Sequence, residues 1–373
     1  MKEIRIGLLG FGFMGRTHAW CLDNLKYFYR DLPFTARVVG VATSRPETAR
    51  AAADLLGTRV ATEAELIADP TVDVIDVCTP NVYHYATLRA AIAAGKHIYC
   101  EKPLCTTAEE ADEVAALAAA RGITAQVVFN NRFLPAVMRA RELCEEGRLG
   151  RILSFRVEYL HASAADPNRP ASWKQDKNVC GAGTLYDLGA HAVDLACLLC
   201  GEMASVKATS HIAFPHRLGR DGKMTETNAD EAFHLILTTK AGAVGSVEVS
   251  KLLVGTNDEL SFAVYGERGA LRFSLMEPNW LYFFDNTLPE APLGGERGFT
   301  RIECCGRYPA PAGIFPSPKA PIGWLRGHLH SMYSFLSAVA DGRPASPDFG
   351  EAAHVQRVLS AALRADATPP TTV

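Results

Sequence analysis

The stretch Lys2–Gly15, KEIRIGLLGFGFMG, decides the fold of this chain. Its apolar run, Ile4–Leu9, has the composition of a buried strand and ends in the glycine-rich turn GFGFMG at residues 10–15. A stretch with helical composition, Arg16–Tyr29, follows this turn. Strand, glycine turn and helix in this order are the context that makes G-x-G-x-x-G a dinucleotide fingerprint. The sequence therefore predicts a nucleotide-binding βα unit here.

Each glycine of the turn has its own predicted role. Gly10 permits the tight turn, Gly12 lets backbone N–H groups approach a pyrophosphate, and Gly15 lets the helix pack closely on the strand. The positive end of the helix dipole then faces the phosphates. The alternative is an ordinary βα turn whose glycines serve packing alone.

Length and composition limit the classes of protein. The chain has 373 residues, 48% of them hydrophobic and 21% charged, which is enough for two globular domains. A formal net charge of -3 without a long basic run argues against a nucleic-acid partner. We expect neither a signal peptide nor a membrane span, because the first strand begins at once and no apolar run is long enough.

Cysteine usage indicates a reducing compartment. The chain has 10 cysteines, several of them inside apolar segments, so we expect buried thiols and a cytoplasmic location. The spacing Cys197-Leu-Leu-Cys200 lacks a second pair and falls in a predicted helix. No metal site is therefore predicted.

The order of strand and helix patterns predicts two domains. Over residues 1–130, βα alternation predicts an α/β Rossmann domain with a doubly wound parallel sheet. Over residues 131–349, strands joined by hairpin turns predict an α+β domain with a large open mixed or antiparallel sheet. A helix at about Thr184–Cys200 interrupts these strands, the Pro- and Gly-rich stretch 287–323 is predicted to be irregular, and two helices follow at about 325–340 and 350–364. The strands predicted in the second domain are Ile152–His161, Val206–Phe214, Ala232–Thr239, Ala243–Lys251, Glu259–Tyr265, Ala270–Leu275 and Trp280–Phe284.

The end of the second strand bears on the choice of cofactor. NAD-binding folds usually place an acid there to accept hydrogen bonds from the ribose hydroxyls, but this chain has Thr43-Ser44-Arg45. Ser44 and Arg45 can bind a 2′-phosphate, which favours NADP over NAD. The alternative is that Arg45 caps or solvates the helix Pro46–Leu56.

Three polar clusters fall at the carboxyl ends of predicted strands. They are Thr79-Pro80-Asn81, Glu101-Lys102-Pro103 and Asn130-Asn131-Arg132. Ligands of doubly wound sheets bind at these strand ends. The clusters are therefore candidate binding loops.

Asp187 and His191 stand four residues apart on the predicted helix at 184–200, so they share one face. Hydride transfer from an alcohol needs a base for the hydroxyl proton, and a histidine oriented by a carboxylate suits that task. Lys102 can donate a hydrogen bond to the substrate oxygen. The alternatives are a surface ion pair for Asp187 and His191 and a solvated strand-end lysine for Lys102.

The chain resembles the glucose–fructose oxidoreductase / inositol dehydrogenase (Gfo/Idh/MocA) family. The matching pieces are GFGFMG followed by Thr17-His18, CTPNVYH at 78–84, AGKHIYCEKPL at 94–104, NNRF at 130–133 and GAGTLYDLGAHAVDL at 181–195. The resemblance implies a Rossmann domain, an open-faced sheet domain, and a C-terminal helix, at about 350–365, that packs back on the first domain. It also implies catalysis by Lys102, Asp187 and His191. The cofactor contacts that it implies are Gly10, Phe13, Met14, Ser44, Arg45, Thr79, Pro80, Asn81, His84, Glu101 and Lys102, to which the fingerprint adds Gly12 and Gly15.

The sequence departs from the family pattern at two places. The helix at 184–200 is preceded by Gly-Ala-Gly where Gly-Gly-Gly is common. The acid after the second strand is missing, so both NAD and NADP stay open as cofactors.

The predicted substrate is a sugar, a cyclic polyol or a glycoside, oxidised at a secondary hydroxyl to the ketone or formed in the reverse reaction. Trp173 offers a flat apolar face to a sugar ring, and polar neighbours take its hydroxyls. Trp173 as a core lid and Arg132 as a structural ion pair are the alternatives. The predicted substrate contacts are Lys102, Arg132, Tyr159, His161, Trp173, Asp187 and His191, with Asn131 and Lys174 as further candidates.

Two other activities stay open. One is a reductase, or a cofactor-recycling enzyme, that acts on keto-sugars. The other is a sensor that binds a dinucleotide without turnover. A large sheet with an apolar face also predicts a homodimer or homotetramer through the second domain.

Overall fold

The structure is a computed structural model that describes residues 2–219, 222–306, 315, 317 and 319–367. The chain divides into two compact units by its contacts. The first unit comprises Met1–Phe133 and Tyr308–Gln356, and the second comprises Leu134–Arg307 and Arg357–Val373. No helix of the described ranges combines the length and the apolar composition that a bilayer crossing requires.

The first part of the chain alternates strands and helices. Its elements are β1 (Lys2–Leu9), α1 (Phe13–Phe28), β2 (Phe34–Ala42), α2 (Pro46–Leu56), β3 (Arg59–Val60), α3 (Glu63–Ala68), β4 (Val74–Val77), α4 (His84–Ala93), β5 (His97–Cys100), α5 (Ala108–Arg121) and β6 (Ala125–Val127). The six strands pair in parallel in the order β3-β2-β1-β4-β5-β6. The predicted doubly wound sheet is confirmed. Because the strand order reverses between β1 and β4, the carboxyl ends of these two strands form the topological switch point where such sheets bind ligands.

The second part of the chain is dominated by strands. Its elements are α6 (Pro135–Glu145), β7 (Ile152–Leu160), α7 (Lys177–Cys180), α8 (Ala190–Cys200), β8 (Met203–His211), β9 (His216–Leu218), β10 (Met224–Glu226), β11 (Ala232–Thr239), β12 (Val244–Ser250), β13 (Glu259–Gly266), β14 (Gly269–Ser274), β15 (Trp280–Asp285) and β16 (Phe299–Glu303). Eight of these strands form one sheet in the order β16-β15-β14-β13-β7-β12-β11-β8. β7 and β12 pair in parallel, and the other neighbours are antiparallel. The predicted mixed sheet is confirmed, and α8 packs against β7, β12 and β13.

The structure corrects the sequence analysis at the exposed strands. The stretch 287–323 was predicted to be irregular, but it contains the edge strand β16, and its residues 307–314, 316 and 318 lie outside the described residues. β9 and β10 form a hairpin that was not predicted, and β8 begins at Met203, three residues before the predicted start. Most residues of β9, β10 and β16 are exposed, so these strands lack the buried alternation on which the prediction relied.

Two helices, α9 (Trp324–Asp341) and α10 (Phe349–Asp366), come last. α9 places Leu329, Met332 and Leu336 on one face, which belongs to a core cluster with Ile4 and Ile6 of β1. This packing explains why the first unit includes residues 308–356, whereas the predicted boundary assigned everything from 131 to 349 to the second domain. The contact division also passes through α10, between Gln356 and Arg357.

Candidate active site

The glycine turn after β1 has the geometry that its three predicted roles require. Gly10 has φ +90°, and a Cβ there would lie 2.5 Å from the Cys78 carbonyl oxygen. A Cβ on Gly15 would lie 2.2 Å from the Gly10 carbonyl oxygen. A Cβ on Gly12 would have no described heavy atom within 4 Å, so this position faces open space. The turn therefore leaves room for a ligand at Gly12, which fits the phosphates of a dinucleotide.

The start of α1 can bind an anion. Phe13 and Met14 form its first turn, and Phe13 is exposed. Within the described ranges no side chain caps this helix, and no acidic residue lies in its first turn. The backbone N–H groups and the positive end of the helix dipole are therefore available to phosphate groups.

The loop after β2 presents Ser44 and Arg45 to solvent. Arg45 is the residue before α2, and its Nε lies 3.6 Å from an oxygen of Glu47. Both side chains of this pair are about two-thirds exposed, so their mutual attraction is weak. The guanidinium can therefore turn to a phosphate as easily as it pairs with Glu47.

His84 joins the loops after β4 and β5. Its Nδ1 lies 2.9 Å from the Pro103 carbonyl oxygen and its Nε2 lies 2.9 Å from the Thr79 carbonyl oxygen. The ring is fully buried, and burial lowers the pKa of His84. The His84 side chain thus holds the loops that carry Thr79-Pro80-Asn81 and Glu101-Lys102-Pro103, and its contact with the cofactor stays a prediction.

Asp187 and His191 lie on one continuous helical segment, as predicted, but its first turn is not α-helical. Leu185–Gly189 forms a π-helical turn that leads directly into α8. The N–H groups of Gly183 and Leu185 donate to the two carboxylate oxygens of Asp230, each at 2.7 Å. Burial raises the pKa of Asp230, while these two donors and the charge of Lys251 oppose the rise.

Close approach explains the glycine before this turn. A Cβ on Gly183 would lie 2.0 Å from the Asp230 carbonyl oxygen. Asp230 therefore fixes the start of the segment that carries Asp187 and His191.

Two lysines converge on the Asp187 carboxylate. Lys174 Nζ and Lys251 Nζ each lie 2.8 Å from the same oxygen, Oδ2. The Lys251 side chain is buried, whereas that of Lys174 is 43% exposed. Charge-assisted hydrogen bonds from both sides hold Asp187 as a carboxylate in one orientation.

The residues around the His191 ring match part of the predicted substrate set. The Tyr159 ring lies edge-on to His191 at 6.0 Å between centroids, and the His161 ring lies 5.2 Å from Tyr159. The Tyr159 hydroxyl donates to Asp258 Oδ1 at 2.7 Å, and His161 Nε2 lies 2.8 Å from the same oxygen. His191 therefore stands beside a cluster of hydrogen-bonding side chains in the second unit.

Trp173 lies in a short 3₁₀ turn between β7 and α7. Trp173 is 42% exposed, and Lys174 Nζ lies 5.8 Å from its ring centroid. The partial exposure does not fit the alternative of a core lid. Trp173 can therefore present an apolar face next to the lysine that binds Asp187.

Arg132 adopts the structural alternative named for it. Its Nη1 forms an ion pair with an oxygen of Glu351 at 2.5 Å, and the Arg132 side chain is 7% exposed. The Glu351 carboxylate also accepts hydrogen bonds from Ser346 and from the Asp348 N–H. The guanidinium is therefore already engaged within the first unit, and its contact with substrate stays a prediction.

Two family models match the chain. The first, described as an oxidoreductase family with an NAD-binding Rossmann fold, matches residues 4–129, and the second, the GFO/IDH/MocA C-terminal domain, matches residues 137–272. The chain belongs to the Gfo/Idh/MocA family. This membership confirms the predicted family and the prediction of an NAD(P)-dependent oxidoreductase.

The relatives resemble this chain over nearly all of its length or over about half of it. Levoglucosan dehydrogenase from Pseudarthrobacter phenanthrenivorans is 32% identical over 98% of this chain and 97% of its own length. A solved structure of levoglucosan dehydrogenase in complex with NADH and levoglucosan matches with a TM-score of 0.92 at 32% identity, covering 98% of each chain. The scyllo-inositol 2-dehydrogenase (NADP+) of Bacillus subtilis is 33% identical over 56% of this chain and 55% of its own length.

Three polar residues next to the candidate Gfo/Idh/MocA site were missed by the sequence analysis. They are Asp230, Lys251 and Asp258. Each lies outside the helix at 184–200 and outside the family motifs, in a strand end or a loop. Each of the three contacts a residue that is distant in the sequence: Lys251 contacts Asp187, Asp258 contacts Tyr159, and Asp230 contacts the Gly183 turn. No local sequence pattern predicts such contacts.

Arg217 holds the loop that precedes Trp173. Its guanidinium donates to the carbonyl oxygen of Ala164 at 2.5 Å and to that of Asp166 at 2.6 Å, and it forms an ion pair with Glu231 at 2.7 Å. Both side chains of the ion pair are at most 3% exposed. The buried arginine thereby fixes the backbone of residues 164–166.

Replacing Arg217 with methionine is expected to lower the free energy of unfolding by about 3–5 kcal/mol, because Glu231 keeps a buried charge without its cation. Urea unfolding followed by circular dichroism measures the loss. Arg148→Met is the matched control, since Arg148 and Asp285 form an exposed pair and the expected loss is about 0.2–1 kcal/mol. Equal losses in the two variants would contradict the expectation.

Donor atoms that could hold a metal also occur in the first unit. His18, Glu101 and His328 place one donor atom each within 4.8 Å of one another, and so do His18, Asp76 and Cys78. Both sets depend on His18, whose two ring nitrogens already face Asp76 and Glu101. The geometry is that of a hydrogen-bonded network.

Proposed function

We propose that this enzyme oxidises a secondary hydroxyl of a sugar, a cyclic polyol or a glycoside to the ketone, or catalyses the reverse reduction. The observation that carries the proposal is the arrangement around Asp187, which two lysines hold at its Oδ2, on the segment that also presents His191. Relatives named levoglucosan dehydrogenase and scyllo-inositol 2-dehydrogenase support a cyclic polyhydroxylated substrate.

His191 is the proposed general base for the hydroxyl proton. In oxidation it takes this proton as the C–H bond of the carbinol carbon breaks, and in reduction it returns the proton to the oxygen. Asp187 orients the substrate hydroxyl and stabilises the imidazolium. Lys102 donates a hydrogen bond to the reacting oxygen and favours its alkoxide-like state.

The proposed cofactor is a nicotinamide dinucleotide bound by the glycine turn and the strand-end loops. When bound, it accepts the hydride in oxidation and supplies it in reduction. Its proposed contacts are Gly10, Gly12, Phe13, Met14, Gly15, Ser44, Arg45, Thr79, Pro80, Asn81, Glu101 and Lys102. The open space at Gly12 and the uncapped start of α1 support this set.

Tyr159, His161 and Trp173 are the proposed substrate contacts besides Lys102, Asp187 and His191. The cluster of Tyr159, His161 and Asp258 beside His191 can bind ring hydroxyls, and Trp173 can stack on the apolar face of a sugar. Trp173 is exposed enough for this contact. Aromatic side chains with a few placed hydrogen-bonding groups are the usual lining of a small-molecule site.

A substrate screen tests the proposed function. Initial rates of reduced-nicotinamide formation are measured with levoglucosan, inositols and pentoses, and rates of its consumption with keto-sugars, each with NAD and NADP. Turnover of at least one cyclic polyol or sugar is expected. Nicotinamide that co-purifies and is not exchanged would favour cofactor recycling, and binding of a dinucleotide without any turnover would favour the sensor.

We propose that the cofactor is NADP, with Ser44 and Arg45 as ligands of its 2′-phosphate. Arg45→Glu is expected to lower kcat/KM for NADP by about 10–100-fold, the worth of one charge-assisted hydrogen bond, and to leave kcat/KM for NAD the same or higher. Arg50→Glu is the control, because it makes the same charge change at an exposed position of α2. Equal effects on both cofactors would contradict the 2′-phosphate contact.

We also propose a cytoplasmic homodimer or homotetramer formed through the sheet of the second unit. Its exposed face carries the apolar side chains Ile236 of β11 and Val244 of β12, which lie diagonally across the β11–β12 pair. Exposed apolar side chains on neighbouring strands favour association. Light scattering during gel filtration measures the mass, and a stable monomer at working concentration would contradict the proposal.

A further inference from the structure

A buried histidine lies between two acids in the first unit. His18 is on α1, and its Nδ1 lies 2.8 Å from Asp76 Oδ1 in β4. Its Nε2 lies 3.1 Å from Glu101 Oε1, just after β5. The His18 and Asp76 side chains are each 1% exposed, and that of Glu101 is 8% exposed. Three elements of the Rossmann unit therefore meet at one imidazole ring.

Both ring nitrogens of His18 face acidic oxygens. A neutral imidazole has a single N–H and could donate to one of the two acids only, so the geometry fits a doubly protonated, positively charged ring. Burial disfavours that charge, but Asp76 and then Cys78 outweigh it, and the pKa of His18 is raised well above its ordinary value. For Glu101, burial opposes ionisation, but the hydrogen bond and charge of His18 lower its pKa.

Other titratable groups also face the His18 ring. Cys78 Sγ lies 3.2 Å from Nδ1, and the rings of Tyr99 and His328 lie 5.1 Å and 6.5 Å away between centroids. Cys21 is the neighbour on α1 itself, and burial raises its pKa to about 12. Asp76 and Glu101 are the acids of this set, and they compensate the charge on His18.

Glu101 connects this ring to the predicted catalytic lysine. Its Oε1 faces His18, and its Oε2 accepts the Lys102 backbone N–H at 3.2 Å. The Glu101 backbone N–H in turn donates to the Val77 carbonyl oxygen at 2.9 Å. One oxygen of the Glu101 carboxylate therefore contacts His18, and the other accepts from the Lys102 backbone N–H. These contacts connect α1 to the backbone of Lys102.

We propose that His18 is a positioning residue: as a buried cation it fixes the Glu101 carboxylate, and through it the backbone from which the Lys102 side chain extends. This inference rests on the proposed catalytic role of Lys102. Without the positive ring, two buried acids lose their shared donor, and Glu101 is free to turn away from the Lys102 N–H. Lys102 is then displaced from the substrate oxygen, and small displacements of a reacting group lower the rate steeply.

The test compares His18→Gln with a matched variant of another buried histidine. His18→Gln is expected to lower kcat by about 10–100-fold, whereas dinucleotide affinity, measured by fluorescence titration, falls by a smaller factor because the glycine turn keeps its contacts. His330→Gln is the control, because His330 is equally buried in the first unit but its Nδ1 faces the Tyr29 hydroxyl at 2.7 Å. Equal loss of kcat in both variants would overturn the proposal.

A double variant separates positioning from general destabilisation. In a Lys102→Met background, His18→Gln is expected to cause little further loss of kcat, since the group that it positions is absent. If His18→Gln lowers kcat by the same factor in both backgrounds, the positioning role of His18 is wrong, and the catalytic role of Lys102 is unaffected. If Lys102→Met by itself keeps the wild-type kcat, the catalytic role of Lys102 fails, and the positioning proposal fails with it.

The charge of the His18 ring can be measured in the unaltered enzyme, which keeps the proposal testable if His18→Gln does not fold. In nitrogen NMR spectra of ¹⁵N-histidine-labelled protein, one buried ring is expected to show two protonated nitrogens at about pH 8, above the ordinary histidine pKa of about 6.5. Glu101→Gln identifies the signal by shifting it. If all histidine rings are neutral at this pH, the proposal is wrong.

The pH dependence of stability follows from the same raised pKa. The stabilisation by His18 is fully present below the ordinary histidine pKa of the unfolded chain and is lost as the pH rises through the higher pKa of the folded chain. The difference in urea midpoint between wild type and His18→Gln should therefore narrow on going to alkaline pH. Above the ordinary histidine pKa, a difference in urea midpoint that widens with pH would contradict a cationic ring.

Discussion

Replacing His191 with alanine is expected to lower kcat by about 10²–10⁴-fold, the usual contribution of a general base. The reason is that His191 is the proposed base for the hydroxyl proton, and it lies next to Tyr159 on the same segment as Asp187. Dinucleotide affinity should stay unchanged, because the proposed cofactor contacts lie on other elements. Initial rates across pH and fluorescence titration with the dinucleotide measure the two quantities.

Two comparisons make the His191 result specific. His234→Ala is the control, because His234 is an exposed histidine on β11 of the same unit, and it should keep wild-type rates. Added imidazole should partly restore the activity of His191→Ala by supplying the missing base. If the loss of rate matches an equal loss of dinucleotide affinity, or if His234→Ala is impaired to the same degree, His191 is not the base.

Replacing Lys102 with methionine is expected to lower kcat by about 10²–10³-fold, comparable to removing one donor to a developing oxyanion. Methionine keeps most of the length and apolar volume of the side chain and removes the charge and the N–H donors. The rate of the single turnover, followed by absorbance of the reduced nicotinamide, isolates the chemical step from product release.

Lys102→Arg is the companion variant, because it keeps the positive charge and changes the donor geometry. It should fall between wild type and Lys102→Met. Combining Lys102→Met with His191→Ala should cost less than the product of the single losses, since groups that act on one oxygen are not independent. If the double variant loses kcat by the full product of the two single-variant factors, these residues act on different steps.

Local backbone requirements were the most predictable part of this fold. The glycine turn needs a positive φ at Gly10, open space at Gly12 and a close approach at Gly15. These requirements depend on a few neighbouring residues. Buried strands such as β4 and β12 were also predicted, since apolar composition or alternation marks them within a short window. The exposed strands β9, β10 and β16 lack both signals, and they were missed.

Long-range pairing was the least predictable part of the candidate site. Asp187 and His191 were identified from their spacing, but Lys251, which joins Asp187 from the end of β12, was not, because the contact exists only once the sheet has formed. His84 and Arg132 illustrate a second difficulty, because a matching motif does not say which partner a side chain takes. Both lie within matching motifs, yet the structure directs their polar atoms to backbone carbonyl oxygens and to Glu351.

The π-helical turn Leu185–Gly189 has a consequence for engineering. One residue corresponds to about 100° of rotation around an α-helix, so deleting a residue here to make the segment regular would swing the preceding side chains around the axis. Asp187 would leave its two lysines while His191 stayed in place. A thermostable redesign that makes every helix regular should therefore be inactive, even if it is more stable. Activity should be kept only if the five residues Leu185–Gly189 keep their π-helical turn.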